Sequence, residues 1–170
     1  MSLTLMPFSK SVRRKDFCCG TPELDTYFVE QLGQDEERDA ARAYLLLNDD
    51  TVAGFFTLSA GAMELARVPP HLLKQVARYA QLPAAIIGRL AVDQRFKGQG
   101  LGGLLLTEAL SMAVSGPLAV TVALVDAKDG GAAAFYRKYG FASLQDVSPL
   151  KLFMTAKGAR RAVEASSGQS

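Results

Sequence analysis

The stretch Arg-Phe-Lys-Gly-Gln-Gly-Leu-Gly at 95–102 most constrains what this chain can fold into, because it joins a strand pattern to a helix pattern. An apolar run at 84–92 precedes it, and apolar residues at helical spacing follow it from Leu101 to about Val114. The first N–H groups of a helix lack internal partners and carry a partial positive charge. Glycines let an anion approach those groups and allow the positive φ that a tight loop needs. The pattern predicts a phosphate-binding junction.

Other interpretations of the glycines are weaker. A Walker A loop needs Lys and then Ser or Thr after its second glycine, whereas Gly102 is followed by Gly103 and Leu104. A dinucleotide-binding loop is disfavoured because the preceding strand lies in mid-chain. The remaining alternative is a close-packed turn without a ligand. Alternating glycines beside Arg95 and Lys97 favour the anion site.

A second block follows an apolar, strand-like run at 119–125. Asp129 can cap a helix whose first turn is lined with alanines, and Gly140 can supply the left-handed exit of that helix. The neighbouring phenylalanines are interpreted as core residues. Tyr136 is interpreted as a functional residue that faces a cleft, because a buried tyrosine hydroxyl needs a partner.

Together the two blocks resemble the GCN5-related N-acetyltransferase (GNAT) superfamily. The pattern Arg-x-x-Gly-x-Gly is similar to its acyl-CoA pyrophosphate loop, and Asp129, Ala132 and Tyr136 stand at the spacing of its second motif. The resemblance implies an α/β (α+β) GNAT fold, with a mixed central β-sheet flanked by helices on both faces. It also implies acetyl-CoA as co-substrate and Tyr136 as the general acid toward the leaving thiolate.

The resemblance implies that acetyl-CoA lies against one strand end, the glycine loop and the second helix start. Asp129 departs from the usual Asn of the motif, so capping is the safer role for this acid. The residues implied to contact acetyl-CoA are Leu90, Ala91, Val92, Arg95, Phe96, Lys97, Gly98, Gln99, Gly100, Leu101, Gly102, Asp129 and Ala132.

Further blocks between Phe17 and Phe141 resemble one branch of the superfamily, the GNAT toxins of bacterial toxin–antitoxin pairs. They are Phe17–Gly20, Leu24-Asp25 with Tyr27-Phe28, Gly54–Ser59, Gly88–Asp93 and Val125–Ala127. The branch implies acetylation of the α-amine of aminoacyl-tRNA, which blocks translation. It also implies a ribbon-helix-helix antitoxin as partner and a homodimer. The cations interpreted as tRNA contacts are Arg78, Arg89, Arg137 and Lys138.

Composition bounds the remaining classes. With 170 residues and 49% hydrophobic content, the chain can bury one full core. We therefore expect one acetyltransferase domain at 1–156 and a flexible tail at 157–170. No apolar run is long enough for a membrane span, and the first residues lack a signal-peptide pattern, so we expect a cytoplasmic protein. The only histidine and the adjacent Cys18 and Cys19 match no metal-site spacing, so no metal is expected.

The coarse element order alternates strands and helices. We expect a helix from the Thr21 cap to about Leu32, then a charged stretch at 34–42. The other predicted elements are strands at 3–8, 43–47, 52–59 and 151–155, a helical connection at 67–81 and a helix at 131–139.

Three functions stay open at this point. The first is the tRNA-acetylating toxin, and the second is a metabolic N-acetyltransferase acting on a small amine or a peptide N-terminus. The third is a CoA-binding module without chemistry, against which Tyr136 argues. A net charge of +2 is only weakly basic and does not decide for tRNA. No compelling general base is found, and the α-amine of an aminoacyl ester is neutral enough to need none.

Overall fold

The computed structural model describes residues 2–167. Its strands are β1 (Leu3–Pro7), β2 (Arg42–Asn48), β3 (Thr51–Glu64), β4 (Gln81–Val92), β5 (Val122–Asp126), β6 (Ala142–Ser143) and β7 (Lys151–Thr155). Its α-helices are α1 (Pro22–Thr26), α2 (Leu32–Glu37), α3 (Leu101–Ser115), α4 (Gly130–Lys138) and α5 (Ala156–Ser167). A π-helical turn at Tyr27–Gln31 joins α1 to α2, and short 3₁₀ turns lie at Leu65–Arg67, Pro70–Gln75 and Gln94–Phe96.

The seven strands form one sheet in the order β1-β2-β3-β4-β5-β7-β6. Strands β4 and β5 run parallel, whereas β1 with β2, β2 with β3, β5 with β7 and β6 with β7 run antiparallel. A parallel pair needs a crossover connection, and helix α3 supplies it here. The predicted mixed α/β sheet is confirmed. The glycine-rich loop connects the end of β4 to the start of α3.

The chain divides into two compact units, of which the first comprises residues up to 59 and 88–109. Its core is aromatic. The rings of Phe28 and Phe55 stack with centroids 4.4 Å apart, and Phe17 lies 4.6 Å from Phe28. Strands β2 and β3 form a hairpin, with Asn48 paired to Thr51 across the turn. This core supports the segment that leads into α1.

The second unit comprises residues 60–87 and those from 110 onward. Leu82, Val122 and Phe153 are fully buried at its centre. The apolar runs of β4 and β5 pair in parallel from Ala84 with Val122 onward, as expected for strands buried on both faces. Strand β7 has the predicted bounds, whereas the strand expected from Ala119 begins only at Val122.

The first helical segment is longer than predicted. It was expected to end near Leu32, but it continues through α2 to Glu37. Two acids of the predicted charged stretch explain the difference, since they are structural acceptors. Asp35 accepts a hydrogen bond from the Tyr27 hydroxyl at 2.8 Å, and Glu36 accepts one from the backbone N–H of Ala43. These hydrogen bonds connect α2 to the π-helical turn and to strand β2.

The predicted flexible tail is wrong for residues 157–167, which form helix α5. Thr155 caps this helix by accepting a hydrogen bond from the Gly158 N–H at 3.0 Å. Ala156 and Ala159 are buried, and Val163 is half-buried on the same face. Charged residues stand opposite this face, so the segment has an amphipathic pattern that the tail prediction overlooked. Residues 168–170 of the predicted tail lie outside the described residues.

Candidate functional site

The glycine-rich loop has the backbone conformation that its sequence requires. Gly98 has φ +80° and Gly100 has φ +77°, so both lie in the left-handed region that favours glycine. A Cβ atom added to either glycine would meet nothing within 4 Å. The first helical hydrogen bond of α3 runs from the Leu104 N–H to the Gly100 carbonyl at 3.2 Å. The curled loop thus presents open space in front of a helix N-terminus, which fits the approach of a phosphate group.

A buried carboxylate anchors this loop. Asp93 is 1% exposed and directly follows β4. Its oxygens accept hydrogen bonds from the Cys18 N–H at 3.0 Å and from three groups of Arg95, namely the backbone N–H and Nε at 2.9 Å and Nη2 at 3.0 Å. Burial alone would raise the pKa of Asp93, but these hydrogen bonds outweigh it and hold the pKa below its usual value. The carboxylate therefore stays charged and fixes the start of the loop.

The two cations expected at the mouth of the loop have partners inside the molecule. Arg95 is paired with Asp93, so its charge is balanced there. The Lys97 ammonium donates to the Cys19 carbonyl at 2.7 Å. The electrostatic attraction of the loop for an anion therefore comes mainly from backbone N–H groups and the helix end rather than from the Arg95 charge.

The segment before α1 is tied to the same loop. The Gln94 N–H donates to the Cys18 carbonyl at 2.8 Å, and the Cys19 N–H donates to Asp25 at 2.8 Å. Sequence reasoning missed the anchoring roles of Asp93 and Asp25. An acid placed directly after a long apolar strand, as Asp93 is, was the available signal.

The remaining residues expected to contact acetyl-CoA from this unit are differently exposed. Ala91 is buried, and Leu90 and Val92 flank it half-buried on β4. Leu101 is buried, so its side chain belongs to the core and its backbone N–H is the group that can serve a ligand. The others are exposed or half-buried along the loop and the start of α3: Phe96, Gln99 and Gly102.

Helix α4 of the second unit carries Tyr136. This residue is 8% exposed and packs edge-on against the rings of Phe135 and Phe141, at 5.3 Å and 5.5 Å. Its hydroxyl has no hydrogen-bond partner among residues 2–167. Burial raises its pKa to about 12. Tyr136 is therefore a neutral phenol throughout the physiological pH range, able to donate a hydrogen bond or a proton.

The caps of helix α4 are as predicted. The Asp129 carboxylate accepts a hydrogen bond from the Ala132 N–H at 2.8 Å, which confirms its capping role. Gly140 has φ +103° and provides the left-handed exit. Ala132 is half-buried in the first turn. Contact of Asp129 and Ala132 with acetyl-CoA stays a prediction.

The four basic residues expected to contact tRNA differ in their surroundings. Arg137 in the second unit donates to the Pro149 carbonyl at 2.9 Å and to Ser143 at 3.2 Å, so it also has a structural role. Arg78 and Lys138 are exposed and have no side-chain partner within residues 2–167. Arg89 belongs to the first unit, and its guanidinium carbon lies 3.9 Å from the centroid of the Tyr27 ring.

Two classes of feature are absent from the part of the chain that the structure describes. No three His, Cys, Asp or Glu side chains there form a group that could hold a metal ion. None of the helices between residues 2 and 167 combines the length and apolar character needed to cross a bilayer.

Comparison with known proteins extends these observations. The family model of the acetyltransferase (GNAT) family matches residues 10–141. A probable toxin TacT of Sinorhizobium fredii is 30% identical over 152 residues, with 83% of each chain covered. A tRNA-acetylating toxin of Mycobacterium tuberculosis is 30% identical over 146 residues, which covers 85% of this chain and 86% of that protein.

Solved structures of the protein AtaT are similar in fold. AtaT in complex with acetyl-methionyl-tRNAfMet superposes with a TM-score of 0.82 at 26% identity, covering 94% of this chain and 98% of that chain. AtaTR bound with acetyl-CoA gives a TM-score of 0.79 at 26% identity, covering 94% and 96%. A mutant AtaT toxin bound to the C-terminus of the antitoxin AtaR gives 0.79 at 25% identity, again covering 94% and 96%.

Proposed function

The chain belongs to the acetyltransferase (GNAT) family, and we propose that it transfers the acetyl group of acetyl-CoA to the α-amine of an aminoacyl-tRNA. The observation that carries this proposal is the likeness to a tRNA-acetylating toxin over 85% of the chain. The likeness to AtaT bound to acetyl-methionyl-tRNAfMet supports the same substrate class. Acetylation of the amine would block translation, which makes the chain a toxin.

The glycine loop is the proposed site of the acetyl-CoA pyrophosphate. The left-handed Gly98 and Gly100 leave the space in front of α3 open, and Asp93 holds the loop in place. Backbone N–H groups from Gly98 to Gly102 bind the phosphate oxygens, with Lys97 and Arg95 beside them. Both glycine positions fit the group, since no atom of the described protein fills the space that a Cβ would occupy there.

The end of strand β4 is the proposed site of the pantetheine arm. Main-chain groups of Leu90, Ala91 and Val92 bind the arm and polarise the thioester carbonyl, which is a preorganised donor arrangement. Acetyl-CoA supplies the activated acetyl group. The chain supplies the orientation that brings this carbonyl to the incoming amine.

Tyr136 is the proposed proton donor. The amine loses one proton when the amide forms, and the departing thiolate gains one, so the reaction is balanced without a metal or a redox step. A phenol with a pKa of about 12 stays protonated at neutral pH and donates a hydrogen bond to the developing thiolate. The α-amine has a reference pKa of about 7.7–8.0, and the adjacent ester lowers it further, so it arrives largely neutral.

The proposed partners follow the same likeness. The complex of AtaT with the C-terminus of AtaR supports an antitoxin as partner. We propose an antitoxin of the ribbon-helix-helix class and a homodimeric enzyme, and both are tested by co-expression followed by size-exclusion chromatography with light scattering. A monomeric enzyme would contradict the proposed homodimer, and an enzyme that does not bind such an antitoxin would contradict the proposed partner.

A substrate panel tests the activity itself. The protein is incubated with labelled acetyl-CoA and total charged tRNA, and in parallel with polyamines and short peptides. We expect label in the aminoacyl-tRNA fraction and growth arrest on expression. Label in the amines or peptides alone would identify a metabolic N-acetyltransferase, and binding of acetyl-CoA without transfer to any acceptor would identify a binding module.

A further inference from the structure

Arg89 has no acidic partner, unlike Arg42 and Arg95 of the same unit. Arg42 is paired with Glu36 and Asp39, and Arg95 with Asp93. Among residues 2–167 no carboxylate lies within salt-bridge distance of Arg89. The residue is exposed, so its guanidinium is accessible to a ligand from solvent.

An aromatic ring holds the Arg89 guanidinium in place. Its central carbon lies 3.9 Å from the centroid of the Tyr27 ring, which is the distance of a stacked cation–π contact. The backbone of Arg89 is fixed as well, because its N–H donates at 3.0 Å to the hydroxyl of Thr57, a residue that is only 2% exposed. Both ends of this long side chain are thereby constrained before any ligand arrives.

The ring beneath the guanidinium is itself buried and hydrogen-bonded. Tyr27 is 7% exposed, and its hydroxyl donates to Asp35 at 2.8 Å. The other oxygen of Asp35 accepts a hydrogen bond from Gln31 at 3.2 Å. Tyr27 opens the π-helical turn, whose backbone bond runs from the Leu32 N–H to the Tyr27 carbonyl. Such turns occur frequently at functional sites.

A guanidinium stacked on a ring keeps its in-plane N–H donors available. These donors match two oxygens of a phosphate group. The side chain is already ordered before the phosphate binds, so binding costs less rotamer entropy. Arg89 adjoins Leu90, where the segment proposed to bind the pantetheine arm begins. It lies about 10 Å before Val92, where the strand ends and the chain leads into the glycine loop. An anion bound by Arg89 is therefore closer to the proposed position of the thioester than to the glycine loop.

We propose that Tyr27 and Arg89 form a clamp for one backbone phosphate near the acceptor end of the tRNA substrate. This inference rests on the proposed function, since it names how that substrate is held. Arg89 touches the phosphate, and Tyr27 with Asp35 is the positioning pair. A phosphate of acetyl-CoA is the alternative source of the same chemistry, and the measurements separate the two.

The first experiment uses Arg89→Gln, with Arg38→Gln as control. Arg38 is an exposed arginine at the end of α2, so its variant has the same net charge without loss of the clamp. For Arg89→Gln we expect the salt slope of aminoacyl-tRNA binding to fall by roughly one unit and KM for charged tRNA to rise about tenfold or more. The acetyl-CoA dissociation constant should not change, and Arg38→Gln should bind tRNA like the wild type.

The second experiment separates the stacked geometry from the charge alone. Arg89→Lys keeps the charge but lacks the planar fork, and Tyr27→Phe keeps the ring but loses the bond to Asp35. We expect the wild-type salt slope in both, with KM raised severalfold by Arg89→Lys and less by Tyr27→Phe. A circular dichroism melt checks that each variant is folded.

Three outcomes would overturn the clamp. These are an unchanged salt slope and KM in Arg89→Gln, an Arg89→Lys variant with wild-type KM, or a loss of acetyl-CoA affinity equal to the loss for tRNA. The last result would assign Arg89 to the cofactor. If the wild-type enzyme does not acetylate charged tRNA at all, the proposed function fails instead, and the two failures are thus distinguishable.

Discussion

The glycine-rich loop and the surroundings of Tyr136 differ in how their polar groups are satisfied. In the loop, the Asp93 carboxylate accepts four hydrogen bonds and the Lys97 ammonium donates to a carbonyl. The Tyr136 hydroxyl has no such partner among residues 2–167, although the residue is buried. A satisfied network suits a rigid scaffold, whereas a hydroxyl without a protein partner keeps its donor available to a ligand. This difference supports the two proposals that the loop backbone binds acetyl-CoA and that Tyr136 donates the proton.

The largest expected effect is on turnover in Tyr136→Phe. This change keeps the ring against Phe135 and Phe141 and deletes only the hydroxyl. Because general acid catalysis contributes about 10²- to 10⁴-fold, the single-turnover rate should fall within that range. The acetyl-CoA dissociation constant, measured by calorimetry, should stay the same. An undiminished rate would show that Tyr136 has only a packing role, and the proposed division between a binding loop and a proton donor would then be wrong.

The next effect is on acetyl-CoA affinity in Gly100→Glu. Both Gly100→Ala and Gly100→Glu strain a backbone at φ +77°, by about 1–2 kcal/mol. Only the glutamate adds a negative charge in the open space before α3. If a charged hydrogen bond of about 1.5–3 kcal/mol is lost, affinity should fall about 10- to 150-fold beyond that of Gly100→Ala. Equal acetyl-CoA affinity of the two variants would show that the phosphate does not bind at this loop.

A smaller effect on stability is expected for Asp93→Asn. The variant keeps the shape but removes a buried charge that holds Arg95 and the Cys18 N–H, so we expect a loss of about 1.5–3 kcal/mol in the free energy of unfolding. The control is Asp16→Asn, which breaks the exposed Arg13 pair and should cost no more than about 1 kcal/mol. Denaturant unfolding of the two variants measures the difference. Comparable losses would mean that the loop is not anchored by Asp93.

The advantage of Asp93 over asparagine should also depend on pH. The pKa of Asp93 is lowered in the folded state, because its hydrogen bonds outweigh burial. Its contribution to stability is therefore present above the unfolded pKa of about 3.9 and is lost as the pH falls through the lower folded value. The stability gap between wild type and Asp93→Asn should narrow below about pH 4. A gap that widens on acidification would contradict the assignment.

The smallest effect is confined to alkaline solution. Burial raises the pKa of Tyr136 to about 12, against about 10 in the unfolded chain. The stability that comes from the neutral phenol is present below pH 10 and is lost as the pH rises toward 12. Tyr136→Phe should lose less stability than the wild type across that range. Ultraviolet difference absorbance of tyrosinate gives the titration directly, and a Tyr136 signal near pH 10 would show that its phenol is solvated.

How much the sequence foretells depends on the kind of interaction. The glycine loop, the Asp129 cap and strand β7 are predictable because spacing and local backbone chemistry determine them. The bonds of Asp93 to Cys18 and of Lys97 to Cys19 are not, because they join the loop to a distant segment. The pairing of Arg95 with Asp93 joins residues only two positions apart and was predictable.

Two further differences have separate origins. Helix α5 was missed although its apolar and charged residues recur at helical spacing, because its small and polar composition was taken as typical of a flexible tail. The stacking of Arg89 on Tyr27 joins residues 62 positions apart by number, so no local pattern could reveal it. What depends on tertiary packing became visible only in the structure.

The central claim, that the loop binds acetyl-CoA while Tyr136 serves the chemistry, is tested by one crossed measurement. The single-turnover rate of acetyl transfer to aminoacyl-tRNA is recorded against acetyl-CoA concentration for wild type, Gly100→Glu and Tyr136→Phe. We expect the rate of Gly100→Glu to approach that of the wild type as the acetyl-CoA concentration is raised. The rate of Tyr136→Phe should saturate at the same acetyl-CoA concentration as the wild type, but at a value lower by about 10²-fold or more. A Gly100→Glu enzyme that saturates normally at a low rate, or a Tyr136→Phe enzyme rescued by more acetyl-CoA, would contradict this division.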